Sequence, residues 1–517
     1  MAVITVNGNQ ALSSFTAPDA YVNIVPPSPA TAIGAPSNVG ALVGSASWGP
    51  LNQLIAVSDS ASLVNACGQM TTQPYDAVTE AQQALAYCNA LRIVRVSTGT
   101  DVAATLILKD TNSVPATGLT LNGKYTGTVG NAISVTLAAG SLTTAGSPTV
   151  TATVVRAGYQ PELFSNLASP ATGGAFWNTL ASAINNGITG VRGPSNLVVA
   201  VLPGTSSTYP PAMVASAPLA GGTNGDNFAT LSAASTAQVG TDGVTGRTGM
   251  YALRSSGVSV FGLAGNADST QWATMQTFAE SEGMLAVSAF PTGTSTTADI
   301  ATKQSVNANA DWLKLLKDWL TIQDSVNTVQ RLISPIGEYV GLRCGLSPWE
   351  SSLNKPVTGF GNFLSTERTG SPYSEAEVGQ LTQAGIDSIQ SPIPRSTSLY
   401  GMRTGAVASG NDDSYPIFTQ FLAKSFGSIM GQFIGDMQGA SKGDRTRSRA
   451  RSALHNFMST VAAHIDAYAL TLNASNNSQT TVGEGYLIGS IQVTYLGVVR
   501  NFILNFQGGA TVQISVQ

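Results

Sequence analysis

The apolar residues of this chain come in short runs, and this limits what it can fold into. Long ones, such as Leu197-Val198-Val199-Ala200-Val201-Leu202, fall far below the ~20 residues a membrane span needs. Runs of this kind make strands or single helix faces. A chain of 517 residues built from them should divide into three or four domains, each with its own core.

The type of run changes along the chain. Residues 2–6 (AVITV) read as a strand, followed by an arm that ends in the extended Val25-Pro26-Pro27-Ser28-Pro29. Val39–Gly44 is strand-like and a Trp48-Gly49-Pro50 turn follows. Ala77, Val78, Ala81, Leu85 and Cys88 predict a helix over 74–91, with Leu91–Val96 a buried strand. From 101 to 225 the segments Thr105–Leu108, Ile133–Leu137, Val150–Val155 and Leu197–Val201 alternate with Gly/Asn/Thr turns. One helix, marked by Phe176, Leu180 and Ile184, interrupts this β-rich region. Between 226 and 345, strands at Val258–Leu263 and Leu285–Phe290 alternate with helices at Gln271–Glu282 and from Phe290 to about Leu320, an α/β order. Beyond it, Ser374-Glu375-Ala376-Glu377 is a capping box with Gly385 as C-cap. Helices are expected over 416–437 and 444–470, then strands at Leu487–Tyr495, Val499–Phe506 and Ala510–Val516.

Charge is scarce. Only 10% of residues are Asp, Glu, Lys or Arg, against roughly 25% in ordinary domains. A net charge of −4 leaves no cationic excess to neutralise phosphates, so nucleic acid is not an expected partner. Two readings of so neutral a surface stand: a Ser/Thr-covered extracellular protein, or a subunit whose surface meets partners. The start, MAVITVNGNQ, has no secretory pattern. Three cysteines without a C-x-x-C point to a reducing cytoplasm, with Cys88 and Cys344 as buried small hydrophobes.

Catalytic motifs are missing. The sequence has no G-x-S-x-G, Walker A or G-x-G-x-x-G pattern. His455 and His464 read as ordinary helix residues, and Asp412-Asp413 as compensation at a helix N-terminus. No enzyme activity, cofactor or metal is expected.

Two features ask for more. Both ends are β-forming: Val3, Ile4, Thr5 and Val6 at one, and Val512, Gln513, Ile514, Ser515 and Val516, which alternate, at the other. Such ends either join their own domain or add to a neighbour's sheet. The second feature is a basic run in which Arg445, Arg447, Arg449 and Arg451 open a helix. Residues 1–350 hold 13 Lys/Arg and 18 Asp/Glu, whereas 351–517 hold 11 and 10. Cations at a helix N-terminus oppose its dipole, so an anionic partner is expected, an acidic protein surface rather than nucleic acid.

Several segments resemble the contractile-tail sheath proteins of bacteriophages. They are GAPSNVGALVGSASWGPLNQLIAVSDSASLVNACG (34–68), YTGTVGNAISVTL (125–137), PELFSNL (161–167), LAGGTNGD (219–226), TGMYAL (248–253), AVSAFP (286–291), GEYVGLRCGLSPWESSLNKPVTG (337–359) and YLGVVRNFILNF (495–506). Their order over most of the chain carries the likeness. The resemblance implies a mixed α+β and α/β multi-domain fold: an inner α+β domain built from both chain ends, an inserted β-rich domain, and a subtilisin-like α/β domain. The boundaries expected are an arm at 1–30, an inner tube-facing domain at 31–100 plus 346–509, a β-rich domain at 101–225, the α/β domain at 226–345 and an exchange strand at 510–517. No histidine lies within 226–345, so a Ser-His-Asp triad cannot form there. The resemblance also implies terminal strand exchange between subunits, a helical homo-oligomer, and a tail tube, baseplate and terminator as partners, in a virion tail assembled in the host cytoplasm without membrane insertion. Charge makes the arginine run a candidate for the tube. A phage-derived injection device of the R-type bacteriocin kind, and a hydrolase using the subtilisin-like domain, are the alternatives.

Overall fold

The computed structural model describes residues 4–7, 21–24, 38–142, 148–169, 174–225, 230–306, 311–357, 363–368, 370–390, 397–400, 412–439 and 444–499. They fall into two units, one drawn from 1–35 and 421–517, the other from 36–420. The first unit opens with strands β1 (Ile4–Asn7) and β2 (Tyr21–Ile24), paired in parallel with Ile4 opposite Tyr21.

The second unit begins with β3 (Gly40–Gly44), β4 (Leu54–Val57), helices α1 (Ser60–Cys67) and α2 (Ala77–Ala84), and β5 (Leu91–Arg95). Each helix starts where an aspartate can cap it. Asp59 accepts from the Ser62 N–H in a capping box, and Asp76 accepts from the Val78 and Thr79 N–H groups. The helix expected over 74–91 is therefore shorter, and Cys88 lies in the turn beyond it.

The chain then makes β6 (Thr105–Lys109), β7 (Thr117–Gly123), β8 (Ser134–Ala139), β9 (Thr149–Val155), β10 (Glu162–Ala168), α3 (Gly174–Asn186), β11 (Val198–Val201) and β12 (Val214–Pro218). These strands form a four-stranded sheet in the order β10-β9-β8-β12 and a three-stranded sheet in the order β11-β7-β6. Alternation directs Val135, Leu137, Val150, Ala152 and Val154 to one core, where α3 adds Phe176, Trp177, Leu180 and Ile184.

The remainder supplies α4 (Leu231–Val239), β13 (Val260–Leu263), α5 (Trp272–Glu282), β14 (Leu285–Ala289), α6 (Thr296–Ser305), β15 (Leu313–Lys317), β16 (Leu320–Asp324), β17 (Val329–Ile333), α7 (Ile336–Gly345), β18 (Pro356–Val357), β19 (Phe363–Thr366), α8 (Glu375–Ala384), β20 (Ile386–Gln390) and β21 (Thr397–Tyr400). A nine-stranded sheet runs β18-β21-β20-β15-β14-β13-β3-β5-β4. The pairs from β20 to β5 are parallel, and antiparallel strands close both edges. Both faces are covered, as parallel sheets require. Leu42, Val260, Val287 and Leu316 meet α2 and α7 on one face. Ala41, Val43, Phe261, Ala286 and Leu315 meet α5 and α8 on the other. Helices α2 and α7 approach closely because Gly337, Gly341 and Gly345 form a stripe one turn apart. A methyl on Gly341 would stand 2.4 Å from Ala84 backbone, and one on Gly337 2.4 Å from the Glu80 carbonyl.

Two expectations are corrected here. Residues 40–95 do not group away from 226–345: β3 pairs with β13, Gly40 opposite Val260, so the grouping of 31–100 with an inner domain gives way to the long-range sheet. The helical stretch expected up to Leu320 ends at Ser305, and β15 and β16 follow. Lys314 and Lys317, in β15, are buried partners of Asp387 and Asp299.

The last elements are α9 (Ser414–Gly431), α10 (Arg445–Val461), β22 (Ile465–Thr471), α11 (Gln479–Gly483) and β23 (Ser490–Tyr495). The helix expected to reach residue 470 stops at Val461, because Ile465–Thr471 pairs antiparallel with β23. The strands expected at Val499–Phe506 and Ala510–Val516 lie, apart from Val499, outside the described residues.

Candidate functional site

The basic helix is the first place to look. Asp444 caps α10 by accepting from the Arg447 N–H at 2.8 Å, and its other oxygen accepts from the Gly439 N–H at 2.7 Å. These backbone hydrogen bonds, the Arg447 one foremost, hold its carboxyl below the usual range. The anion that four arginines seemed to need is thus partly supplied by the chain. The preceding segment folds back on the helix. Thr446 donates to the Met437 carbonyl at 2.7 Å, and Arg447 donates to the Gly439 carbonyl at 3.1 Å.

The four arginines are not equivalent. Arg447 is 4% exposed and serves this fold-back, so its expected place on a docking surface is corrected. Arg445 and Arg451 are exposed, and Arg449 pairs with Asp436 at 3.2 Å with both side chains largely in water. Its guanidinium also lies over the Phe433 ring, 5.6 Å from the centroid. Beside them Ile434 and Met437 are 85% and 94% exposed, and a cavity of about 350 Å³ opens among Met430, Phe433, Ile434, Gly485 and Leu487. The opposite face of α10 buries Leu454, Phe457, Met458 and Val461, and Phe457 meets the rings of Phe421 and Phe426. His455 faces outward, its Nδ1 2.7 Å from the Tyr468 hydroxyl, so it is a partner in a surface contact.

The strand-exchange candidates divide. Ile4, Thr5 and Val6 lie in β1, paired in parallel with Tyr21, Val22 and Asn23 of the same chain. Val3, Val512, Gln513, Ile514, Ser515 and Val516 lie outside the described residues. Among the described residues, each of the two sheets in this unit has two strands, β1-β2 and β22-β23. A two-stranded sheet is marginal alone and gains from added strands.

Several titratable groups of the second unit lie in its core. Asp413 accepts from the Tyr339 hydroxyl at 2.8 Å and from Ser351 at 3.2 Å, and Ser352 completes the cage. Burial pushes its carboxyl up, but Lys314, Arg343 and these donors more than offset that and leave it lowered. So Asp413 is not a helix-end charge; Asp412 is, its carboxylate taking the Ser414 N–H at 3.1 Å. Lys314 and Asp387 form an ion pair with both side chains fully buried, and burial raises Asp387 to about 7. Glu80, raised by burial to about 8, accepts from the Gly265 N–H at 2.6 Å. Each of these groups is occupied by structural partners. Among the described residues no cluster of three His, Cys, Asp or Glu is placed to hold a metal, and no helix is long and apolar enough to cross a membrane. Sequence reasoning missed Lys314, Asp387 and Asp413 as a buried network; lysines inside the apolar run LKLLK were the available signal.

Known proteins point one way. Residues 39–96 match the family described as tail sheath protein Gp18 domain III, N-terminal region. No curated relative matches the chain. A sheath tail protein from Listeria innocua shares the fold with TM-score 0.56 at 12% identity, covering 89% of this chain and 95% of that one. One from Desulfitobacterium hafniense does so with TM-score 0.52 at 14% identity, covering 85% and 90%. By sequence, residues 39–96 are similar to the tail sheath family, and over most of its length the chain shares the fold of these two sheath tail proteins.

Proposed function

We propose that this chain is a structural, non-catalytic subunit of a contractile tail sheath, polymerising helically around a tail tube and shortening to drive the tube through a host envelope. The observation that carries this reading is the sheath fold extending over 89% of the chain. The nine-stranded sheet with its helices would be the subtilisin-like domain, used as a scaffold. β6–β12 would be an inserted outward module, and the unit from the chain ends the tube-facing one.

Within that reading, Val3–Val6 and Val512–Val516 are strands offered to neighbouring subunits. The β-forming character of both ends favours this, because an added strand gains main-chain hydrogen bonds. Exposed Arg445 and Arg451, with Arg449, face an acidic tube. The baseplate and terminator are end partners, and assembly takes place in the host cytoplasm. Contraction is a rigid-body rearrangement between two lattices, with exchanged strands as tethers; its energy comes from assembly. Concentrated purified chain should form tubes in negative-stain electron microscopy. A strictly monomeric species at high concentration contradicts the proposal.

A further inference from the structure

Where α2 ends and the chain turns toward β5, the turn with Tyr87 and Cys88 packs against the last turn of α7, which carries Cys344. Both thiols are free, and Cys88 packs against the apolar cluster that contains Cys344. Their surroundings hold them there. Cys344 is 3% exposed and packs over Gly40 of β3, where a methyl would stand 2.8 Å from its Sγ. Cys88 is half-buried, and its Sγ is also 3.5 Å from the Ala84 carbonyl. The glycine stripe of α7 ends at Gly345, where a methyl would stand 2.6 Å from the Tyr87 carbonyl, so the turn that carries Cys88 lies against the end of the helix that carries Cys344.

We propose that Cys88 and Cys344 are a redox pair that closes to an intramolecular disulfide under oxidising conditions, stapling the end of α7 to the α2–β5 turn. The chemistry is thiol–disulfide exchange, with a low-molecular-weight disulfide such as oxidised glutathione as oxidant. The Cys88 thiolate attacks one glutathione sulfur, forming a mixed disulfide and expelling glutathione thiolate. That thiolate takes the proton of Cys344, whose sulfur attacks Cys88 and expels the second glutathione. Two protein thiols lose two electrons, and the glutathione disulfide is reduced to two thiols. The order of events follows from the environments. The neighbouring Cys344 side chain lowers the Cys88 thiol despite partial burial, whereas burial raises that of Cys344. Cys88 is also the more accessible of the two. Cys67, fully buried and pushed by burial to about 12, is an internal control.

The test uses the full chain with oxidised glutathione, followed by peptide mapping without reduction. The expected result is a cross-link between the Cys88 and Cys344 peptides, loss of two hydrogens from the intact mass, and a thiol count falling from three to one. Dithiothreitol should reverse all three, and the melting temperature should be higher in the oxidised form. Cys344→Ala should stall with glutathione on Cys88, and Cys88→Ser should not react. Retention of all three thiols, glutathione held on Cys88 in the unaltered chain, or a cross-link involving Cys67 or a second chain would overturn the pair. If Cys344→Ala fails to fold, the peptide map of the unaltered chain still decides.

Discussion

The buried pair Lys314–Asp387 allows a sharp test of how the large sheet is held. Both side chains are fully inaccessible, and Lys314 lies 5.3 Å from the Tyr339 ring centroid. Replacing Lys314 by Met keeps the volume but strands the carboxylate. Breaking a buried pair from one side costs about 3–5 kcal/mol, whereas replacing both partners by apolar groups is often neutral or better. Lys314→Met should therefore destabilise by about that amount at pH 8, and Lys314→Met with Asp387→Leu should recover most of the loss. The pH dependence has a definite sign. The Asp387 pKa is raised by folding, from 3.8 to about 7, so this group favours the unfolded state above pH 7, and its penalty fades as pH falls from 7 toward 4. Without the lysine that pKa rises further, so the single variant should regain stability on acidification more steeply than the unaltered chain. Calorimetry from pH 8 to pH 5 reads both effects, with the transition of the sheet followed separately because a chain of two units need not melt as one. A single variant within about 0.5 kcal/mol of the parent, or a double variant no better than the single, refutes the reasoning.

Other perturbations reach different parts of the molecule. Gly341→Ala places a methyl 2.4 Å from the Ala84 backbone, and thermal unfolding should show a loss of about 1–3 kcal/mol. Deleting 510–517 should leave circular dichroism unchanged and abolish tubes in negative stain; normal tubes would remove those residues from assembly. Arg445→Glu with Arg449→Glu should weaken co-sedimentation with the tail tube more than self-polymerisation, and equal effects would assign these arginines to lattice contacts.

The parts of the fold that were legible in the sequence are those set by neighbours along the chain. The Ser374 box forms as read, its hydroxyl accepting from the Glu377 N–H, with Gly385 in the left-handed conformation at the C-cap. Helix α3 and the β-rich character of the region around it also follow from local period. What was not legible depends on distant partners. Ala462–Thr471 has helical spacing, yet pairing with Ser490–Tyr495 makes most of it a strand. Lys314 is buried beside Asp387, Asp413 and Tyr339, which lie 25 or more positions further along the chain. Arg447 has the same side chain as Arg445 and Arg449; only the fold-back of Met437–Gly439 distinguishes it.

The position of β3 inside the sheet, between β13 and β5, also sets a timetable for synthesis. One of its edges pairs with β5, made soon afterwards, but the other waits for β13, about 220 positions later. At ~5–20 residues per second a ribosome needs on the order of 10–40 s to cover that gap. During this interval the nascent chain carries an apolar strand pair with one side uncovered, while the β6–β12 module can complete its own core. Non-local pairing of this kind is slow and leaves a window for aggregation. Codon choice and chaperone occupancy between positions 96 and 260 should therefore govern the yield of soluble subunit more than changes in the finished surface do.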